Sequence, residues 1–338
     1  MVKKSGPAAA VAHLLLALVA SAATGFGLEL ALRVSGYTPY YLDGHAFVSS
    51  SNPAMMYEPR PGFRGLYAGV PIEINSAGFR GREVRHPDGE KAFRMVVVGD
   101  SIAFGQGVSE ADTLEQQLAA RLERRLASPV EVVNLGVPGY DTCQEYWRFK
   151  ERGLPLAPLA VVLVYVENDT DPSLFRIEGD AVLSPDVRTG GFHDLLAAAR
   201  KHSDLYNLVW TRWQLLKHPR SSIERYRDDL AAKFGEGSPG WARSRACLGD
   251  LVSLAQGRSI RVIVVPFPVL FGIDTNPYPF RAYVETTCGA ARAAGAECLD
   301  VVPALQGHGP RLTVSDVEHH PSPYTYGRIA ERIAELFP

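Results

Sequence analysis

Hydrophobic and polar positions divide the chain into stretches of different period. Lys3 and Lys4 precede a run from Ala8 to Leu28 that holds no charged residue. As a helix such a run reaches ~31 Å, about the thickness of a bilayer core. The apolar pattern continues through Leu30 and Leu32, which favours a membrane anchor at residues 1–33. Ala20-Ser21-Ala22 resembles a cleavage site, so a removed signal peptide and a buried core helix stand as alternatives. The lysines predict a cytoplasmic N-terminus. Both of the first two readings place the rest of the chain outside the cytoplasm, periplasmic or extracellular.

Residues 34–92 show no long periodic segment and read as an adaptor. Val70 to Ile74 alternates like a short strand, and Asn75 to Gly81 carries turn chemistry around Phe79 and Arg80. From Phe93 the pattern changes. Phe93–Val98, Val130–Leu135, Leu159–Val166 and Ile260–Pro266 are unbroken apolar runs, with a short run at Glu297–Val302. Segments at helical spacing lie between them: Thr113–Leu126, with Leu114, Leu118, Leu122 and Leu126 on one face, then Thr142–Arg152 and Tyr283–Ala294. A last helix is expected over Pro323–Leu336. Continuous apolar strands separated by helices predict a mostly parallel sheet covered on both faces, an α/β domain over 93–338. Residues 170–255 interrupt this rhythm as a helical insertion.

Composition narrows the picture. The 338 residues carry 35 Lys and Arg against 37 Asp and Glu. The absence of a basic excess argues against a nucleic-acid partner. A 46% hydrophobic share excludes a disordered chain. The four cysteines, Cys143, Cys247, Cys288 and Cys298, contain no C-x-x-C. Cys288 with Cys298 is a plausible local pair, and unpaired buried thiols fit as well.

Three strand ends carry small polar clusters: Gly99-Asp100-Ser101, Gly136-Val137-Pro138-Gly139 and Glu167-Asn168-Asp169. Ligands of open parallel sheets bind at the carboxyl ends of the strands. A serine at a helix start offers an exposed hydroxyl and a free amide. A glycine lets backbone approach a substrate, and an asparagine amide can donate to a developing oxyanion. A base is supplied near the C-terminus by Asp316-Val317-Glu318-His319-His320-Pro321. A serine nucleophile needs a histidine in reach and a carboxylate to orient it.

In this order the blocks resemble the SGNH or GDSL-type hydrolases over roughly residues 93–338, with the insertion outside the match. Gly99-Asp100-Ser101 with Gly105 and Gly107 is similar to the nucleophile block. Asn134 to Thr142 is similar to the glycine block, Val166 to Asp169 to the asparagine block, and Glu318 to Pro321 to the histidine block. Asn75 to Arg80 resembles a segment preceding the domain in membrane-anchored bacterial members. Glu167 stands where the family often has glycine.

The resemblance implies a flavodoxin-like three-layer α/β/α fold and a serine esterase of the cell envelope, cleaving O-acyl esters through an acyl-enzyme. It implies Ser101 as nucleophile, His320 as base and Glu318 as its acid. Asp316 with His319 is the alternative pair. Ser101, Gly139 and Asn168 would form the oxyanion hole. The substrate would be an ester-bearing small molecule, lipid or glycan. No metal or organic cofactor is expected. Transfer of acetyl to envelope polysaccharide, served by a membrane acyl-donor partner, is the alternative reaction, and a non-catalytic acyl-glycan binding module is a third reading. Against these, Ser101 could be a plain N-cap, and the two histidines with their acids could hold a metal. Gly105-x-Gly107 lacks the third glycine of a dinucleotide loop.

Overall fold

The computed structural model describes residues 7–84, 93–173, 175–179, 181–183, 191–217, 222–315 and 319–338. They fall into two compact units.

The smaller unit joins the described residues of 1–41 to those of 188–219. Its first element is the helix Pro7–Val34. The stretch Ala8–Val34 is long and apolar enough to cross a membrane, and its most apolar window is entirely unburied. Two helices, Phe192–His202 and Asp204–Lys217, pack as a hairpin. The second of them also packs against the N-terminal helix. Glu29 accepts hydrogen bonds from Ser203 Oγ (2.9 Å) and from the Asp204 and Leu205 amides (3.1 and 3.0 Å). These amides are orphan donors of a helix start, so the carboxylate caps the second helix of the hairpin. Tyr37 donates to Asn207 (2.9 Å).

The larger unit begins with two antiparallel pairs, β1 (Phe47–Ser49) with β2 (Tyr57–Pro59) and β3 (Arg64–Tyr67) with β4 (Val70–Glu73). Phe47, Tyr57 and Tyr67 are buried and meet edge to face. An ion pair fastens this layer to the domain behind it. Buried Glu58 binds Arg148 (2.7 Å) and Arg152 (2.8 Å).

The central sheet is made of β5 (Phe93–Gly99), β6 (Val130–Asn134), β7 (Ala160–Tyr165), β10 (Arg261–Pro266) and β11 (Glu297–Cys298), all parallel. A separate small hairpin, β8 (Arg176–Glu178) with β9 (Ala181–Leu183), lies in the insertion. The sheet order is β11-β10-β7-β5-β6. This is the doubly wound order 2-1-3-4-5 in sheet numbering, whose chain reverses direction between the first and third strands. The strands hold because their residues are apolar on both faces. Val96 to Val98 and Val161 to Leu163 are wholly buried. Leu114–Leu126 packs with Pro323–Ala334, and Thr142–Arg148 packs with Pro239–Gln256. Right-handed crossovers put these pairs on opposite faces, completing the three layers.

Two element ends differ from the sequence expectation. The run at Glu297–Val302 is a strand only over Glu297–Cys298. Asp300 turns the chain by accepting from the Val302 amide (2.9 Å), which opens the helix Val302–Leu305. The helix Thr142–Arg148 passes into a π-helical turn over Phe149–Gly153. All four cysteines are paired. Cys143–Cys247 joins two helices of one face, and Cys288–Cys298 joins the helix Arg281–Ala293 to β11.

Candidate active site

Ser101 stands at the first position of the short helix Ser101–Phe104, directly after β5. Asp100 caps that helix, accepting from the Ile102 amide (2.8 Å). Its second oxygen lies 3.4 Å from Ser101 Oγ and accepts from Asn168 Nδ2 (3.2 Å). Asp100 is therefore occupied as cap and anchor. Burial raises its carboxyl above the ordinary range, against the pull of these donors.

His320 presents Nε2 at 2.8 Å from Ser101 Oγ, and its Nδ1 lies 3.5 Å from Gln106 Nε2. Backbone bonds hold both His320 and the residue two after it. Val314 donates to the His320 carbonyl (3.0 Å), and Ser322 donates to the Leu312 carbonyl (2.8 Å). Ser322 then caps the final helix through the Thr325 amide (3.3 Å). Of the two candidate histidines, His320 is the one bonded to Ser101. Glu318 and Asp316 lie outside the described residues.

The three candidate donors follow three neighbouring strands of the sheet. Ser101 follows β5, Gly139 follows β6 and Asn168 follows β7. Among the described residues neither the Ser101 nor the Gly139 amide has a hydrogen-bond partner. One N–H of the Asn168 amide is used by Asp100, and the amide has a second to donate. Gly139 has φ +78°, and its α-carbon is covered by the Phe175 ring and the Tyr57 hydroxyl. A side chain there would meet both, so glycine is required. Gly136 is constrained more tightly, because a methyl group would overlap the Phe104 amide.

Side chains from distant segments brace the nucleophile turn. Asn134 donates to the Ala103 carbonyl (3.0 Å) and accepts from the Gly136 amide (2.9 Å), tying the glycine loop to the nucleophile helix. Tyr326 donates to the Ile102 carbonyl (2.8 Å). The buried Arg80 donates to the carbonyls of Phe104 (2.8 Å), Gly105 and Val108 (2.6 Å), and its guanidinium stacks on the Phe104 ring. A four-residue helix leaves its carbonyls unsatisfied. The Gly105 and Gln106 amides reach the Ser101 and Ile102 carbonyls, and Tyr326 and Arg80 add donors to Ile102 and Phe104 from outside; of these two, only Arg80 had a sequence signal, in the Asn75–Gly81 segment. Tyr57 donates to the Pro138 carbonyl (2.7 Å), so the adaptor also holds the glycine loop.

Glu167 is engaged by the helix Ile223–Lys233. It accepts from Tyr226 (2.9 Å), and burial raises its carboxyl. Glu145 and Asp169 are wholly buried near Asp100, and burial raises both well above the carboxylate range. Among the described residues no cluster of three or more His, Cys, Asp or Glu is arranged to hold a metal.

Residues 97–328 match the GDSL-like lipase/acylhydrolase family. No curated protein matches the sequence. Similar solved structures include a lipase/acylhydrolase from Enterococcus faecalis, 16% identical, covering 72% of this chain and 94% of that one, with a TM-score of 0.40. A catalytic mutant of an acetylxylan esterase from Geobacillus stearothermophilus is 14% identical, covering 74% and 95%, with a TM-score of 0.43. A psychrotrophic esterase from Pseudoalteromonas sp. is 10% identical, covering 72% and 95%, with a TM-score of 0.41. On the family match, which spans most of its length, the chain belongs to the GDSL-like lipase/acylhydrolase family and is an ester-hydrolysing enzyme.

Proposed function

We propose that this protein is a membrane-anchored serine esterase of the cell envelope, removing O-acyl groups from a glycan or lipid outside the cytoplasm. The observation that carries the reading is the 2.8 Å contact between Ser101 Oγ and His320 Nε2 at the strand ends where the sheet reverses. Ser101 Oγ attacks the acyl carbon while its proton passes to His320 Nε2. The carbonyl oxygen gains the negative charge, and the Ser101 amide, the Gly139 amide and Asn168 donate to it. Collapse breaks the ester C–O bond, and the departing alcohol oxygen takes the proton from His320. Water then attacks the acyl-enzyme by the same route, releasing the carboxylic acid and restoring Ser101. Glu318 is the proposed partner of His320 Nδ1.

The test uses the full-length chain in detergent with p-nitrophenyl acetate and longer esters, beside a fluorophosphonate label read by mass spectrometry. Turnover together with a label on Ser101, both lost in Ser101→Ala, supports the reading. A label without turnover points to acyl transfer lacking its acceptor. A folded chain with neither overturns it.

A further inference from the structure

The helical hairpin of the smaller unit carries apolar side chains that nothing in that unit covers. On Asp204–Lys217, Val209, Trp213 and Leu216 are 57%, 52% and 79% exposed. On Phe192–His202, Phe192 and Leu195 are 68% and 63% exposed, one turn apart. At about 100° per residue, Val209, Trp213 and Leu216 fall within an arc of roughly 60° on their helix. Arg212 flanks this stripe on one side and Lys217 on the other. Lys217 lies against the Trp213 ring, 5.2 Å from its centre. Between Phe192 and Lys217 the chain holds Arg200, Lys201, Arg212 and Lys217 against Asp194 and Asp204. An apolar stripe with an aromatic, bordered by long cationic side chains that can reach outward, is the pattern of a helix lying in a membrane surface.

Its attachment says what covers it. The hairpin is bonded to the C-terminal end of the membrane-length helix. Glu29 caps the second hairpin helix, Arg33 donates to the His202 carbonyl (3.0 Å), and Tyr37 and Tyr40 engage Asn207. If the uncharged stretch Ala8 to Leu28 fills the hydrocarbon, residues 29–40 stand at the headgroup level. The hairpin is tied to that level by at least three separate contacts. Tryptophan and tyrosine are enriched there, and basic side chains there meet lipid phosphates.

We infer that the hairpin 192–217 docks on the bilayer surface, with Val209, Trp213 and Leu216 set among the lipid headgroups and acyl boundary. The inference rests on the anchor reading of residues 7–34. Because all four native cysteines are paired, a new thiol is the sole site for a nitroxide label. Full-length Leu216→Cys and, as an aqueous control, Asp250→Cys on the exposed side of Pro239–Gln256 are labelled and reconstituted into phosphatidylcholine and phosphatidylglycerol vesicles. Spin relaxation then compares access of oxygen with access of a nickel chelate. The expected result is a higher oxygen-to-nickel ratio at Leu216→Cys than at Asp250→Cys. Equal ratios in a chain whose intact mass retains residues 7–34 overturn the docking alone. A shielded label with Leu216→Cys crosslinked between two chains shows a second copy on this face and also overturns it. A chain recovered from membranes without its N-terminal helix overturns anchor and docking together, while the esterase assay stands apart from both.

Discussion

His320 Nε2 lies 2.8 Å from Ser101 Oγ although 219 positions separate the two residues. The contact joins the end of β5 to the loop before the last helix. Ser101→Ala and His320→Ala are each expected to lower kcat on p-nitrophenyl acetate by on the order of 10⁴ or more, leaving the fold intact. His319→Ala is expected to keep most of its activity. Equal losses from the two histidine variants would dismiss His320 as the base.

Arg80 holds the carbonyls at the far end of the nucleophile helix. Lysine carries the charge but cannot reach three carbonyls in one planar fork. Arg80→Lys should therefore lower kcat and the rate of fluorophosphonate labelling at Ser101 in parallel, with KM little changed. A change in KM alone would show that Arg80 acts on substrate binding.

Phe175 covers Gly139 and stacks with Tyr57 at 5.7 Å. Removing the ring enlarges the space beside the proposed oxyanion hole. In Phe175→Ala the ratio of kcat/KM for butyrate over acetate esters should rise by about 10-fold, the scale of a methylene contact or two. An unchanged ratio would place the acyl group elsewhere.

Glu115 is buried beside Thr113, and burial pushes its carboxyl from 4.5 up to about 7. The folded state holds the proton more tightly than the unfolded chain between these values. Stability from this group is thus fully present below about pH 4.5 and is lost as the pH rises to about 7, by at most about 3 kcal/mol. Glu115→Gln should flatten that fall, so the melting temperature of the variant relative to the parent should climb between pH 5 and pH 8. A parallel pair of curves would mean that Glu115 is ionised throughout.

The bond Cys143–Cys247 closes a loop of 104 residues between two helices of one face. Loop-closure entropy for about 100 residues amounts to roughly 4–5 kcal/mol. The double variant Cys143→Ala, Cys247→Ala should lose activity at a lower temperature than the parent, and added reductant, which also opens Cys288–Cys298, should bring the parent down to that value or below it.

Most of the architecture was written locally. Apolar runs such as Met95 to Val98 can be satisfied only inside a two-sided sheet, and Leu114, Leu118 and Leu122 only on a helix facing it. The order of the glycine, asparagine and histidine blocks is likewise a property of the sequence. Both follow from periods and residue types that act over a few positions. Tertiary structure decided the rest, because it depends on contacts between distant segments. It brought His320 to Ser101 across 219 positions, a contact no local pattern sets. It paired Cys143 with Cys247 across two helices. It turned Arg80 from a turn residue into a partner of the Phe104, Gly105 and Val108 carbonyls, which it meets only in the fold.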